Sequence, residues 1–403
     1  MNCPADKPRV MHVITRLIVG GAQLTTIRLC ERLSDSYDMY LVAGPQVGVE
    51  GSLHELARAS SPVLIAPSLR REIDLRRDAR AVRELSRLIK EIDPAIVHTH
   101  SSKAGIIGRV ATLRSRARVV HTVHGWGHTP DQPRGQRELF VGLERLAAKR
   151  TDALVAVSQE VRAQGLRRRI GTADRYRVIP EVVDLEPHCA NFAMSRRQAR
   201  EALGLDQRVP VVGWVGRFAA QKDPATLVAA VSAVLREHHE ARAVLVGDGT
   251  LRETVERGLA DPAFASRVTF TGVRHDVREL YAAFDVVLHP TLWEGQPHVI
   301  QEALAERIPV VSAIVDGTSA LIRDGWNGYL VAPGDDAAFA RRILEILRGD
   351  GPSAPLSAEA IEHLPALAGQ ALSLTSHREL YASLLDARGS VSKPTCRVGS
   401  TRP

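Results

Sequence analysis

Apolar residues recur along this chain in two alternating rhythms. Short unbroken runs rich in β-branched residues, at 10–14, 39–43, 119–123 and 153–157, read as strands buried on both faces. Between them the period lengthens. Leu24, Ile27 and Leu29 fall at helical spacing within 23–33, and Val82, Leu85, Leu88 and Ile89 do so within 79–92, where Asp93-Pro94 stops the helix. A further strand is expected at 96–98 and a helix at 104–113. Strands alternating with helices predict βαβ units and a doubly wound parallel sheet.

The pattern begins afresh after about residue 190. Strands are expected at 211–215, 243–246, 268–270, 286–289 and 309–312. A helix runs from Asp223-Pro224 to about Arg236, with Asp as N-cap and Pro at the first helical position. Another turns in near Leu251 after Gly247-Asp248-Gly249. The fold class is therefore α/β with two similar-sized Rossmann-like domains, 1–190 and 191–372. A linker is expected over 181–194. A helix is expected over 373–388, ahead of a disordered basic tail over 389–403.

Composition narrows the class. At 403 residues, 44% hydrophobic and 25% charged, the chain is an ordinary globular protein in make-up. No apolar stretch reaches the roughly 18 residues a membrane span needs, and the start does not read as a signal peptide. Four scattered cysteines form no CxxC pair and fit a reducing compartment. A cytoplasmic location is expected, with peripheral association at the inner face of a membrane as a further expectation from arginine-rich stretches at 68–90 and 162–169. Lys and Arg number 53 and all but six are Arg, giving a net charge of +7. Such a surplus suits either solvated helix faces or an anionic partner.

Candidate chemistry lies where strands end, since open parallel sheets bind ligands beyond their carboxyl ends. Gly20-Gly21-Ala22 follows the first strand and opens its helix. Arg217 follows a strand and Lys222 precedes a helix N-terminus, so a planar fork and a point charge can converge on a diphosphate. Glu294 and Glu302 flank another helix N-terminus eight residues apart, where carboxylates accept from vicinal hydroxyls and free N–H groups near His298 and Val299 face a sugar or phosphate oxygen. His98, His100, His121, His124 and His128 cluster in sequence; His98 and His100 share one face of a strand, and His124 stands just past a strand end. No Asp, Glu or Cys spacing completes a metal site there, and no metal is expected. Neither GxGxxG, GxxxxGK[ST] nor Asp-x-Asp occurs, which removes the nicotinamide fingerprint, the P-loop and the usual metal-binding nucleotide-sugar motif.

At these residues the chain resembles the retaining, two-domain (GT-B) glycosyltransferases of family 4, also called group 1, which implies two Rossmann-like domains facing each other across a cleft and the helix over 373–388 packing back towards the first domain. The matching motifs run in order: GGAQLTTIRL from Gly20, VHTHSSKAGIIGR from Val97, VVHTVHGW from Val119, VIPEVVDL from Val178, GWVGRFAAQKDP from Gly213, LVGDGTLR from Leu245, PTLWEGQPHVIQEAL from Pro290 and GWNGYLVAPGD from Gly325. Glu294 and Glu302 stand at the family's E-x7-E positions. The resemblance implies that Arg217 and Lys222 hold a donor diphosphate with Gly21 beside it, that Glu302 binds the ribose, and that Val273 and Arg274 border the base. Glu294 and the His298–Val299 backbone would take the donor sugar hydroxyls, with His124 near the anomeric carbon. It implies a metal-independent retaining transfer without a covalent enzyme nucleophile, with no cofactor. The donor would be a nucleotide-diphosphate hexose or N-acetylhexosamine, UDP favoured over GDP. The acceptor would be a hydroxyl of a glycan, a lipid-linked intermediate or a natural-product scaffold. Nucleic acid is not an expected partner.

The chain also departs from the family. Glu181-Val182 stand where Asn-Gly is common, Arg307 where Gly is common, and Asp316-Gly317 where a Gly pair is common, with Ala320 in place of a Glu. Arg307 and Asp316 are expected near the donor pocket. These departures leave two alternatives open: an inactive nucleotide-sugar-binding scaffold, and a nucleotide-sugar 2-epimerase of the same architecture.

Overall fold

The computed structural model describes residues 7–46, 51–128, 132–183, 192–357, 359 and 369–389. Two parallel sheets organise them. The first holds β1 (Arg9–Ile14), β2 (Asp38–Ala43), β3 (Val63–Ile65), β4 (Ile96–His100), β5 (Arg118–Val123), β6 (Ala153–Ala156) and β7 (Tyr176–Val178), in the order β3-β2-β1-β4-β5-β6-β7. The second holds β8 (Val211–Val215), β9 (Arg242–Val246), β10 (Val268–Gly272), β11 (Val286–His289), β12 (Val310–Ala313) and β13 (Gly328–Val331), in the order β10-β9-β8-β11-β12-β13. In both, the order reverses beside the first strand, at β1/β4 and at β8/β11. A crevice opens at such a switch point because successive crossovers leave to opposite sides.

Two-residue periodicity sorts side chains onto the two faces of each sheet. In β1, Val10 and Ile14 join one core cluster while Met11 and Val13 join the other. In β8, Val212 and Trp214 pack on one side, Val211 and Val215 on the other. The helix Gly369–Gly389 covers the first sheet, with Leu380 and Tyr381 inserted among Val10, Ile14 and Val120. The tail beyond it lies outside the described residues, as do 184–191 of the expected linker.

Local signals largely place the element boundaries. Asp223 caps Pro224–Glu237, its side chain accepting from the Thr226 N–H. The first helix begins at Gly21, three residues before the first member of its apolar stripe, Leu24, and the third begins at Leu75, where Asp74 accepts from the Arg77 N–H. Strands β3, β7 and β13, of three or four residues, lie outside the runs read as strands in the sequence.

Candidate active site

The loops leaving β1, β5, β8 and β11 converge on a cavity of about 420 Å³ between the two sheets. All ten residues singled out in the sequence line it: Gly21, His124, Arg217, Lys222, Val273, Arg274, Glu294, His298, Val299 and Glu302. A larger cavity of about 1170 Å³ adjoins it, sharing Arg274, His298 and Glu302 and reaching Ser52–Arg58 of the first domain. The two halves approach at backbone distance. A Cβ on Gly295 would stand 1.7 Å from the His124 carbonyl oxygen, so no side chain fits there. A Cβ on Gly21 would meet the His298 ring at 2.8 Å.

Lys222 and Glu294 form a buried ion pair on the second domain, joined by His289, whose Nε2 lies 3.4 Å from Lys222 Nζ and 3.5 Å from Glu294 Oε1. Thr291 Oγ1 donates to the same Glu294 oxygen at 3.1 Å, and Ser312 Oγ lies 3.0 Å from His289 Nδ1. Burial would raise the Glu294 pKa; Lys222 and then His289 outweigh it and hold the carboxyl at about 2. Lys222 therefore meets a ligand already paired, not as a bare surface cation.

Glu181 follows β7 and ties four elements together. Its Oε1 is 2.9 Å from His124 Nδ1, and its Oε2 is 2.9 Å from His298 Nε2 and accepts from Thr25 Oγ1 at 2.7 Å. Its N–H donates to Gln296 Oε1 at 2.7 Å. Burial works to raise the Glu181 pKa, yet His124 and then His298 hold the carboxyl well below the usual carboxylate range. The reciprocal effect raises His298, against burial and through Glu181 first.

A chain of rings runs from this carboxylate beneath the cavity. His124 Nε2 is 3.0 Å from His100 Nδ1, and His100 Nε2 is 2.8 Å from His12 Nδ1. The Tyr381 hydroxyl lies 3.4 Å from His12 Nε2 and 2.6 Å from His98 Nδ1, and His98 Nε2 is 2.7 Å from Thr122 Oγ1. The register pairs His12 directly with His98, and two-residue alternation puts both on the face with His100. His12, His98 and His100 bring ring nitrogens within 4.8 Å of one another, the spacing of a metal-ligand trio. All six of their nitrogens already have hydrogen-bond partners, so the trio is built as a hydrogen-bonded chain.

Glu302 accepts from the Tyr281 hydroxyl at 3.0 Å, and Arg274 pairs with Asp276 at the rim. One expectation needs correction. Arg307 does not line the cavity: it ends the helix His298–Ala305 with φ of 64°, the left-handed region that favours glycine, and its Nε donates to the Leu356 carbonyl at 2.5 Å. Asp316 stands beside the cavity, next to Gly317, whose Cβ would meet the carbonyl oxygen of the lining residue Gly295 at 2.2 Å, and its carboxylate accepts from the Gln164 side chain of the first domain. Sequence reasoning missed Thr25, Glu181 and His289 as site residues. His289 was legible as the last residue of β11; Glu181, in the expected linker, carried only its departure from the family pattern.

Residues 19–187 match the family described as Glycosyltransferase Family 4, and residues 209–349 that described as Glycosyl transferases group 1. The chain is 29% identical over 352 residues, covering 86% of this chain and 89% of the relative, to the UDP-Gal:alpha-D-GlcNAc-diphosphoundecaprenol alpha-1,3-galactosyltransferase of Escherichia coli. It is 34% identical over 286 residues, 66% of each chain, to the D-inositol 3-phosphate glycosyltransferase of Xylanimonas cellulosilytica. In fold it matches HepE of Anabaena, solved with UDP and glucose, at a TM-score of 0.77 and 22% identity over 94% of this chain and 99% of that one. It matches the sucrose-phosphate synthase of Thermosynechococcus elongatus at 0.78 and 22% over 94% and 100%. Ordered motifs, paired doubly wound sheets and a cleft at their switch points agree with these likenesses, and the chain belongs to the family 4, group 1 glycosyltransferases of GT-B fold.

Proposed function

We propose that this glycosyltransferase moves a hexose or N-acetylhexosamine from a UDP-sugar to a hydroxyl of a lipid-linked glycan, with retention at the anomeric carbon and without a metal. The observation that carries the reading is the meeting of Arg217, Lys222, Glu294 and Glu302 in one cavity. In this reading Lys222 and Arg217 neutralise the leaving diphosphate, and Glu302, steadied by Tyr281, accepts from the ribose hydroxyls. Val273 and Arg274 border the base. Glu294, ionised at any working pH, accepts from sugar hydroxyls together with the backbone at His298–Val299. His124 closes the acceptor side, and Gly21, the first residue of its helix, lies beside the diphosphate. Transfer then depends on position and electrostatics, with the leaving phosphate helping to deprotonate the acceptor.

The E. coli relative, whose donor is UDP-Gal and whose acceptor hangs on diphosphoundecaprenol, favours a lipid-linked acceptor. A surface feature agrees with it. The helix Arg134–Ala148 leaves Leu139 and Leu146 59% and 64% exposed beside Arg134 and Arg145, an apolar stripe edged with cations. No helix among the described residues is long and apolar enough to cross a membrane, so contact with lipid would be peripheral. Sedimentation with anionic phospholipid vesicles at low salt tests this, and failure to bind would remove the membrane contact.

Thermal unfolding with UDP, GDP and ADP, in EDTA and then in magnesium, tests the donor. UDP at about 100 times its dissociation constant should stabilise by about 2.7 kcal/mol, or several degrees. A shift in EDTA with UDP alone is expected. A shift with GDP alone, or only with magnesium, would overturn the base or the metal independence. Transfer from UDP-hexoses to a polyprenyl-diphosphate sugar, read by NMR for an axial product linkage, tests retention.

A further inference from the structure

Glu181 is buried, touches four elements and has no part in the transfer as described so far. A carboxylate held far below its usual pKa can only accept hydrogen bonds. Its contact at His124 Nδ1 therefore requires a proton on that nitrogen. With one proton, on Nδ1, the His124 ring presents Nε2 as an acceptor to the facing His100 Nδ1, 3.0 Å away. His100 Nε2 in turn accepts from His12 Nδ1 at 2.8 Å. One anion thus dictates the tautomer of three successive rings, and the last reaches Tyr381 on the C-terminal helix at 3.4 Å. Burial, the largest influence on His12 and His100, keeps both neutral, as this pattern requires.

The same carboxylate reaches across the cleft. Its other oxygen binds His298, at the N-terminus of the helix that carries Glu302. His298 packs where a Gly21 Cβ would stand, so its placement sets the gap between the two helix N-termini that border the cavity.

We propose that Glu181 is a positioning residue for sugar transfer: it locks His124 in the Nδ1–H tautomer and tethers His298, holding the two faces of the cleft in register. Both His124 ring nitrogens are consumed by this arrangement. The residue therefore offers the substrate its ring edge, not a ring N–H.

The kinetic test rests on the transferase reading above; the spectroscopic test does not. Glutamine in place of Glu181 offers an N–H donor beside His124 Nδ1, which reverses the preferred tautomer and sets two donors against each other at His100. For Glu181→Gln we expect kcat with a UDP-sugar to fall at least about 100-fold while the donor KM stays within about threefold, the pattern of a disoriented imidazole. In ¹⁵N-histidine-labelled wild type, His124 should report the Nδ1–H form, and in the variant the Nε2–H form. Wild-type kcat in a folded Glu181→Gln, or a kcat loss matched by an equal rise in KM, would overturn the proposal. A wild-type His124 protonated at Nε2, alone or at both nitrogens, would overturn it too, even if the variant fails to fold. Absence of transfer by the wild type would sink the transferase reading instead and leave the tautomer measurement to decide.

Discussion

Acidification from pH 7 to near pH 5 should unfold the N-terminal sheet before the C-terminal one. His12, His98, His100, His121 and His377 are buried against the first sheet, and burial is the largest influence lowering each. His12 is held at about 3 and His377 at about 4, against 6.5 when free. The sign follows from proton counting. Below pH 6.5 the unfolded chain binds protons that the folded one refuses, so stability is fully present above 6.5 and is lost as pH falls towards the folded values. Each such group contributes a slope of about 1.4 kcal/mol per pH unit, so five give roughly 7 kcal/mol per unit well below 6.5. A domain stable by about 5–15 kcal/mol exhausts that within one to two units. The second sheet buries His289 with a lowered pKa, while His298 is raised and opposes the trend. Hydrogen exchange followed by mass spectrometry at pH 7, 6, 5.5 and 5 would show the order. Protection of β1, β4 and β5 surviving to pH 4.5 would mean that the chain of rings accepts protons without opening.

Replacing Lys222 should cost both activity and stability, and the second loss is what the tertiary contacts add. Losing one preorganised cation at the leaving diphosphate should lower kcat by about 10²–10³-fold. Lys222 and Glu294 are, however, partners with side chains only 14% and 10% exposed. Removing one leaves the other charged and poorly solvated, which costs about 3–5 kcal/mol for a fully buried pair and less for this one. Lys222→Ala should therefore lower the melting temperature by several degrees, at roughly 2–4 °C per kcal/mol. The double variant Lys222→Ala/Glu294→Ala should regain part of that stability while staying inactive, because no orphaned charge remains. Additive losses of melting temperature would show that the pair is not coupled in solution. Full activity in either single variant would displace the cavity as the transfer site.

The histidine chain connects these two predictions. Three of the positions that make the first sheet acid-labile, His12, His98 and His100, belong to the chain of rings between the helix Gly369–Gly389 and His124. A row of valines at His12, His98 and His100 would fill the same face of β1 and β4 and reduce the acid sensitivity, leaving that of His121 and His377. Such a face would also take from Tyr381 its two histidine partners and from His124 its partner at Nε2.

Much of this protein was legible in one dimension. Backbone geometry imposes its period locally, so a run such as Val211–Val215 or a cap such as Asp223 declares its element within a few residues. Parallel sheets then put ligands at strand ends, so Arg217 with Lys222 and Glu294 with Glu302 could each be placed beyond a strand end from their spacing, and the family resemblance brought the four to one cleft. What tertiary structure alone decided is which of these groups satisfy one another. Glu181 stood in an expected linker, yet it bonds His124 and His298, 57 and 117 residues away. Lys222 and Glu294 each read as a ligand group and proved to be each other's partner. Arg307 was expected near the pocket and turns to Leu356 instead, while Asp316, beside the pocket, is taken up by Gln164. A desolvated charge or imidazole must find its counterpart wherever packing brings one near, and packing between distant segments leaves no periodic trace in the sequence.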